Sequence, residues 1–173
     1  MRARSVSGMT ENTTAANGAH TTDGVPHSFS SLTPFLAIPN AKAAIDFYVS
    51  VLGARSRGVT EMGGVVVHAE LDFGHGRLQL GEPNEQFGLI APPGGDADCY
   101  SLGLYCSSVD DVVARAEAAG ATIREPVANF VSGDRFASIR DPFGVRWSIM
   151  TRVEDLSDEE SAARVEEWAA TQG

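Results

Sequence analysis

The chain has 173 residues, 43% hydrophobic and 21% charged, with a formal net charge of -10. That length and composition suit one globular domain with a real core, and no apolar run approaches the ~20 residues of a membrane span. The acidity argues against nucleic acid as a partner, and two cysteines, Cys99 and Cys106, are too few for a disulfide framework.

The charge is uneven. Residues 153–173 carry seven carboxylates against Arg164 alone, so most of the excess belongs to one tail and says little about a ligand. Residues 1–27 are rich in Ser, Thr, Asn, Gly and Ala. Such a stretch buries too little apolar surface to offset the entropy of ordering, and disorder is expected there. It lacks the apolar stretch of a signal peptide, so a cytoplasmic location is expected.

From Leu32 the chain shows a repeat. Residues 36–53 read as a short strand, then Asn40 as a cap, then Ala44, Ile45, Tyr48, Val51 and Leu52 at helical spacing, then Gly53. Residues 104–120 repeat the pattern with Ser108 as cap, Val109, Val112, Val113 and Ala116 as the stripe, and Gly120 at the end. Strands follow each helix. Val65–Phe73 and Arg77–Leu80 flank the turn Gly74-His75-Gly76, and Arg135–Arg140 and Val145–Met150 flank Asp141-Pro142-Phe143-Gly144. A linker rich in Pro and Gly, Ala91–Asp98, separates the halves. The expected units are module one at 32–91 and module two at 99–152, together spanning a domain at 28–152. A helix follows at 153–173, opened by a capping box of Ser157 and Glu160, with Val165, Trp168 and Ala169 as an apolar stripe.

Period-two alternation sorts the strand faces. Val65, Val67, Ala69, Leu71 and Phe73 form one face of the 65–73 strand, and Val66, His68, Glu70 and Asp72 the other. Gln79 lies on the polar side of its strand. Ser101, Gly103 and Tyr105 oppose Leu102, Leu104 and Cys106; Arg146, Ser148 and Met150 oppose Val145, Trp147 and Ile149; Phe35 opposes Leu36. The polar faces are the candidate ligand surface: Phe35, His68, Glu70, Gln79, Ser101, Tyr105, Arg146 and Ser148. Phe35 and Tyr105 are ring surfaces for a planar ligand or core packing. Arg146 is an anion clamp, or a partner of Arg140 and Asp141 around the same turn. His68 and Glu70, two apart, read as a chelate, as a base with its orienting carboxylate, or as a solvated pair. His75 is expected to face solvent.

The paired modules, with Phe47-Tyr48, Leu52-Gly53 and Asp141-Pro142-Phe143-Gly144, resemble the glyoxalase/bleomycin-resistance/dioxygenase, or vicinal oxygen chelate, superfamily. His68–Leu71, Asp141–Ser148 and Thr151–Asp155 resemble its PhnB-like branch. The resemblance implies an α+β fold of two tandem βαβββ modules whose strands form a cupped mixed sheet, with a small-molecule ligand in the cup and a homodimeric assembly. It also implies four metal-ligand positions, which match Thr33, Gln79, Ser101 and Ser148. Three are hydroxyls, weak ligands for zinc, nickel or iron. The expectation is therefore a metal-free binding or sequestering protein with no cofactor. The alternative is a metal-dependent lyase, isomerase or dioxygenase with a divalent ion on displaced ligands such as His68, Glu70 and Gln79.

Overall fold

The computed structural model describes residues 14–172. Its first element lies where disorder is expected. Strands β1 (Thr21–Thr22) and β2 (Val25–Pro26) form a small antiparallel hairpin. Its turn residues Asp23 and Gly24 both have positive φ, 48° and 80°. An Asp-Gly pair takes that left-handed geometry readily, so this short-range hairpin signal outweighs the polar composition around it. Residues 1–13 of the expected disordered tail lie outside the described residues.

Each module is then built as strand, helix and three strands. Module one has β3 (Phe35–Ala37), α1 (Ala41–Ser50), β4 (Arg55–Met62), β5 (Val65–Asp72) and β6 (Arg77–Gly81), in sheet order β3-β6-β5-β4. Module two has β7 (Ser101–Tyr105), α2 (Val109–Ala118), β8 (Thr122–Asn129), β9 (Asp134–Arg140) and β10 (Arg146–Arg152), in order β7-β10-β9-β8. In both, the first strand runs parallel to the last and the other pairings are antiparallel. The fold is the α+β arrangement expected, with two mixed four-stranded sheets and a C-terminal helix, α3 (Asp158–Ala170).

The helices follow their sequence signals unevenly. Ser108 caps α2 by accepting from the Asp111 amide, and Ser157 and Glu160 make a complete capping box at α3. Asn40 precedes α1 but sits in the left-handed region at φ 54° and makes no capping bond. Asn tolerates that conformation, and here it turns the chain into the helix rather than capping it. Both helices end at left-handed glycines, Gly53 and Gly120. Helix α3 buries no residue fully; its Trp168 ring packs edge-on against Phe130 at 5.1 Å, and Ser161 donates to the Ser132 carbonyl.

Alternation holds on most strands. Leu36, Leu78, Leu80, Leu104, Trp147 and Ile149 are buried toward the helices as expected. It fails at the start of β5. Thr60 and Glu61, adjacent in β4, pair with His68 and Val66, which leaves Val67 as the extra residue of a bulge. Val66 thereby joins Ala69 and Leu71 in the core, and the expected face assignment for Val65–Val67 is reversed.

One core spans both modules. Its centre is the buried Asp141 carboxylate in the β9–β10 turn. Its Oδ2 accepts from the Tyr48 hydroxyl of α1 at 2.7 Å and from Trp147 Nε1 at 3.0 Å; its Oδ1 accepts from the Phe143 and Val145 amides, each at 2.9 Å. Phe47 and Tyr48 pack edge-on against Phe143 and Trp147. Burial pushes the Asp141 carboxyl above its ordinary range against the pull of these donors, and pushes the Tyr48 phenol far up, so Tyr48 stays a donor. The expected pairing of Asp141 with Arg140 and Arg146 does not occur, because the carboxylate turns inward. Asp72, also buried, accepts from the Gly74 amide and from Arg57, and those bonds hold its carboxyl below its ordinary value.

Asp141→Ala strands four donors and should cost about 3–5 kcal/mol of stability, while Tyr48→Phe removes one and should cost about 1.5–3 kcal/mol. Urea denaturation monitored by circular dichroism reads both. For Asp72 the sign runs toward acid. A carboxyl depressed on folding contributes stability that is complete above its unfolded value of 3.8 and is lost as pH falls through the folded value. Asp72→Asn should therefore flatten the fall in stability as pH drops below the unfolded value of 3.8, read by denaturation at successively lower pH.

Candidate functional site

The eight residues expected at the site fall into two groups on two sheets. On sheet one, Phe35 is the register partner of Gln79, and Gln79 of Glu70, so three of the four form a row across β3, β6 and β5. His68 lies beside that row, its ring 6.2 Å from that of Phe35. Glu70 is engaged by Arg77 in an ion pair, and Arg77 is itself nearly buried. Arg77 also donates to the Ser28 carbonyl and lies under the Phe29 ring, so the segment following the N-terminal hairpin is tied onto the edge of this sheet.

On sheet two, Ser101 and Ser148 share a hydrogen bond at 3.0 Å between their hydroxyls. Arg146 donates through Nε to Ser138 and through a terminal nitrogen to Glu125 at 2.6 Å. The Tyr105 hydroxyl donates to Asp134 at 3.4 Å, and Asp134 is also held by Arg152. Phe35 and Tyr105 are 38% and 57% exposed, which places both rings on the open surface rather than in the core. Among the described residues no hydrogen bond or ion pair joins the set on sheet one to the set on sheet two.

Two cavities flank the line along which the sheets meet. The first, about 480 Å³, lies between Pro34, Arg77 and Leu78 of module one and Ser101, Tyr105 and Trp147 of module two. The second, about 560 Å³, lies between Phe35 and Ala37 and the stretch Gly88–Pro93 with Tyr100. Ser101 and Tyr105 thus line the first cavity and Phe35 the second. His68, Glu70, Gln79, Arg146 and Ser148 line neither. His75 is exposed at its turn, as expected, yet also borders the first cavity.

Sequence reasoning misses Arg77 and Trp147 as lining residues. Trp147 reads as a core residue by alternation, and it is only 3% exposed. It lies on the interior strand β10, paired with Leu102 and Ile139, and still borders the cavity together with Leu102, a placement for which periodicity carries no signal. Arg77 could have been found by its opposition to Asp72 and its closeness to Glu70 across a tight turn.

Residues 20–149 match the family model of the glyoxalase/bleomycin resistance protein/dioxygenase superfamily. The chain belongs to that superfamily. An uncharacterized protein of Mycobacterium tuberculosis strain H37Rv is 30% identical over 137 residues, covering 77% of this chain and 81% of that one. Among solved structures, TioX from Micromonospora sp. ML1 is 28% identical with a TM-score of 0.58, covering 71% of this chain and 98% of that one. A lactoylglutathione lyase from Agrobacterium tumefaciens is 23% identical with a TM-score of 0.51, covering 70% and 93%, and shares the fold.

The superfamily resemblance implies a divalent metal, and these residues do not fit one. Ser101 and Ser148 satisfy each other, Glu70 is engaged by Arg77, and among the described residues no cluster of three His, Cys, Asp or Glu side chains converges. A useful site for zinc or a related ion wants three or four good donors. Dialysis against a chelator, followed by addition of zinc, nickel or manganese, should leave the melting temperature unchanged; a stabilisation saturating at one ion per chain would contradict this.

Proposed function

We propose that this superfamily member, read as PhnB-like on its motifs, binds and sequesters a largely apolar small molecule without a metal, in the first cavity between its two sheets. The observation that carries the reading is the cavity's lining. Trp147, Tyr105, Leu78 and Pro34 offer aromatic and aliphatic walls, and Ser101 and Arg77 supply a few polar contacts. Its volume of about 480 Å³ lies inside the range of roughly 300–1,000 Å³ typical of small-molecule sites. A bound planar ligand would bury the exposed Tyr105 ring and stack against it.

The chain is also read as a homodimer. Strands β3 and β7 are edge strands, each with one hydrogen-bonded neighbour, and Leu32 and Ile90 beside the cavities are 81% and 76% exposed. Unpaired edges next to apolar surface favour association with a second copy. Multi-angle light scattering should give the mass of two chains. Among the described residues no helix is long and apolar enough to cross a membrane; the cytoplasmic location is part of the same proposal.

The ligand test uses the chain's two tryptophans. In Trp168→Phe, Trp147 is the remaining fluorophore, and it lies in the cavity wall. Hits from a thermal-shift screen of aromatic metabolites and antibiotics should change its emission saturably. Gly103 borders the same cavity, and a Cβ there would meet Met150 Cε at 3.3 Å. Gly103→Leu should fill the space and weaken those hits about tenfold or more. A folded protein that binds nothing across the screen would end the proposal.

A further inference from the structure

The linker between the modules carries a feature that the apolar cavity does not use. Asp98 is almost fully enclosed, its side chain 6% exposed, and three guanidinium groups from three strands of sheet two converge on it. Arg140 Nε of β9 lies 3.2 Å from Oδ1; Arg146 Nη1 of β10 and Arg124 Nε of β8 lie 3.8 and 3.9 Å from Oδ2. None of these approaches has hydrogen-bond geometry. Both Asp98 oxygens and the Nε groups of Arg124 and Arg140 are buried without a hydrogen-bond partner. Unmade bonds at buried charged groups are costly.

The charges sort by element. Sheet two supplies three arginines against one local carboxylate, Glu125, which pairs with Arg146. The rest of the counter-charge comes from the linker, as Asp98 and the fully exposed Asp96, the latter 3.7 Å from Arg124. The linker backbone is fastened to the same side chains. Arg140 donates to the Gly95 and Pro93 carbonyls, and Arg124 to the Asp96 carbonyl. Ser138 on the same face accepts from Arg146.

We propose that Arg124, Arg140 and Arg146 form a binding site for an oxyanion group, a phosphate or carboxylate on a small molecule, and that Asp98 is a tethered stand-in that occupies it. A single carboxylate reaches all three guanidiniums and satisfies none. A tetrahedral phosphate offers more acceptor oxygens in more directions, and arginine forks suit such groups. On exchange the Pro92–Asp98 segment lifts off. Pro92 and Pro93 also wall the second cavity, so the same movement widens it. The site stands beside the proposed ligand cavity rather than in it, since the three arginines line neither cavity and the linker prolines wall the second.

The probe is inorganic phosphate, titrated into the full chain at constant ionic strength by isothermal calorimetry, with chloride as the control and citrate as the carboxylate arm. Asp98→Ala should bind phosphate at least tenfold more tightly than the unaltered chain, and Arg140→Gln in the Asp98→Ala background should abolish the gain. A twofold or smaller difference between Asp98→Ala and the unaltered chain would overturn the proposal, as would a gain indifferent to Arg140→Gln. Tighter binding of citrate than of phosphate would sustain the site and assign it to carboxylates. Should Asp98→Ala fail to fold, limited proteolysis of the unaltered chain decides. Millimolar phosphate should speed cleavage within 92–98 several-fold over chloride, and equal rates would refute the strap. Failure here while the Trp147 titration still reports ligands sinks the anion site alone; silence in both sinks the cavity reading as well.

Discussion

The Asp141 carboxylate is the point at which two otherwise separate sheets become one molecule. No backbone hydrogen bond joins sheet one to sheet two among the described strands. What holds them together is side-chain burial around a charge that cannot be left unpaired. Two of its bonds come from its own turn, one from Trp147, and one from the Tyr48 hydroxyl on the helix of the other module. Tyr48 is fully buried among the rings of Phe47, Phe143 and Trp147, so its donor is aimed rather than adjustable. The inter-module geometry, and with it the cavity between the sheets, depends on that alignment.

The same anchoring explains the division of labour among the arginines. Because Asp141 faces the core, Arg140 and Arg146 have no partner in their own turn and reach instead to the linker and to Glu125. Arg77 on the other sheet is directed by Glu70 and by the Ser28 carbonyl. Glu70, the carboxylate opposite Gln79, is thereby engaged by a cation. Among the described residues, polar chemistry on the open faces is carried by hydroxyls, rings and paired guanidiniums, a surface suited to recognition by shape and hydrogen bonding.

Much of the architecture was legible. The repeat of strand, cap, helical stripe and terminal glycine located both modules, and the Gly-His-Gly and Asp-Pro-Phe-Gly turns located the β5–β6 and β9–β10 hairpins, because these are local signals with fixed spacing. Where reading failed, a local rule met a competitor. The Asp-Gly turn ordered residues 21–26 despite their composition. A bulge at Val67 moved Val66 into the core against the alternation. Asn40 took a left-handed backbone in place of a cap. The residues expected at the site are divided between two sheets. Ser101, Tyr105 and Phe35 lie on open surface, whereas His68, Glu70 and Gln79 border neither cavity.

By itself the sequence determined the modules, most of their strand faces, the superfamily and the scarcity of strong ligands at the four matched metal positions. The modules and faces follow from periods of two and 3.6 residues, whereas the superfamily and its four metal positions rest on the resemblance of motifs. Only the tertiary structure decided that Asp141 bonds to Tyr48, 93 positions away, that Trp147 reaches a cavity, and that Asp98 gathers three arginines from three strands. Such contacts depend on where one sheet edge meets another element. Long-range packing sets that position, and no local pattern encodes it.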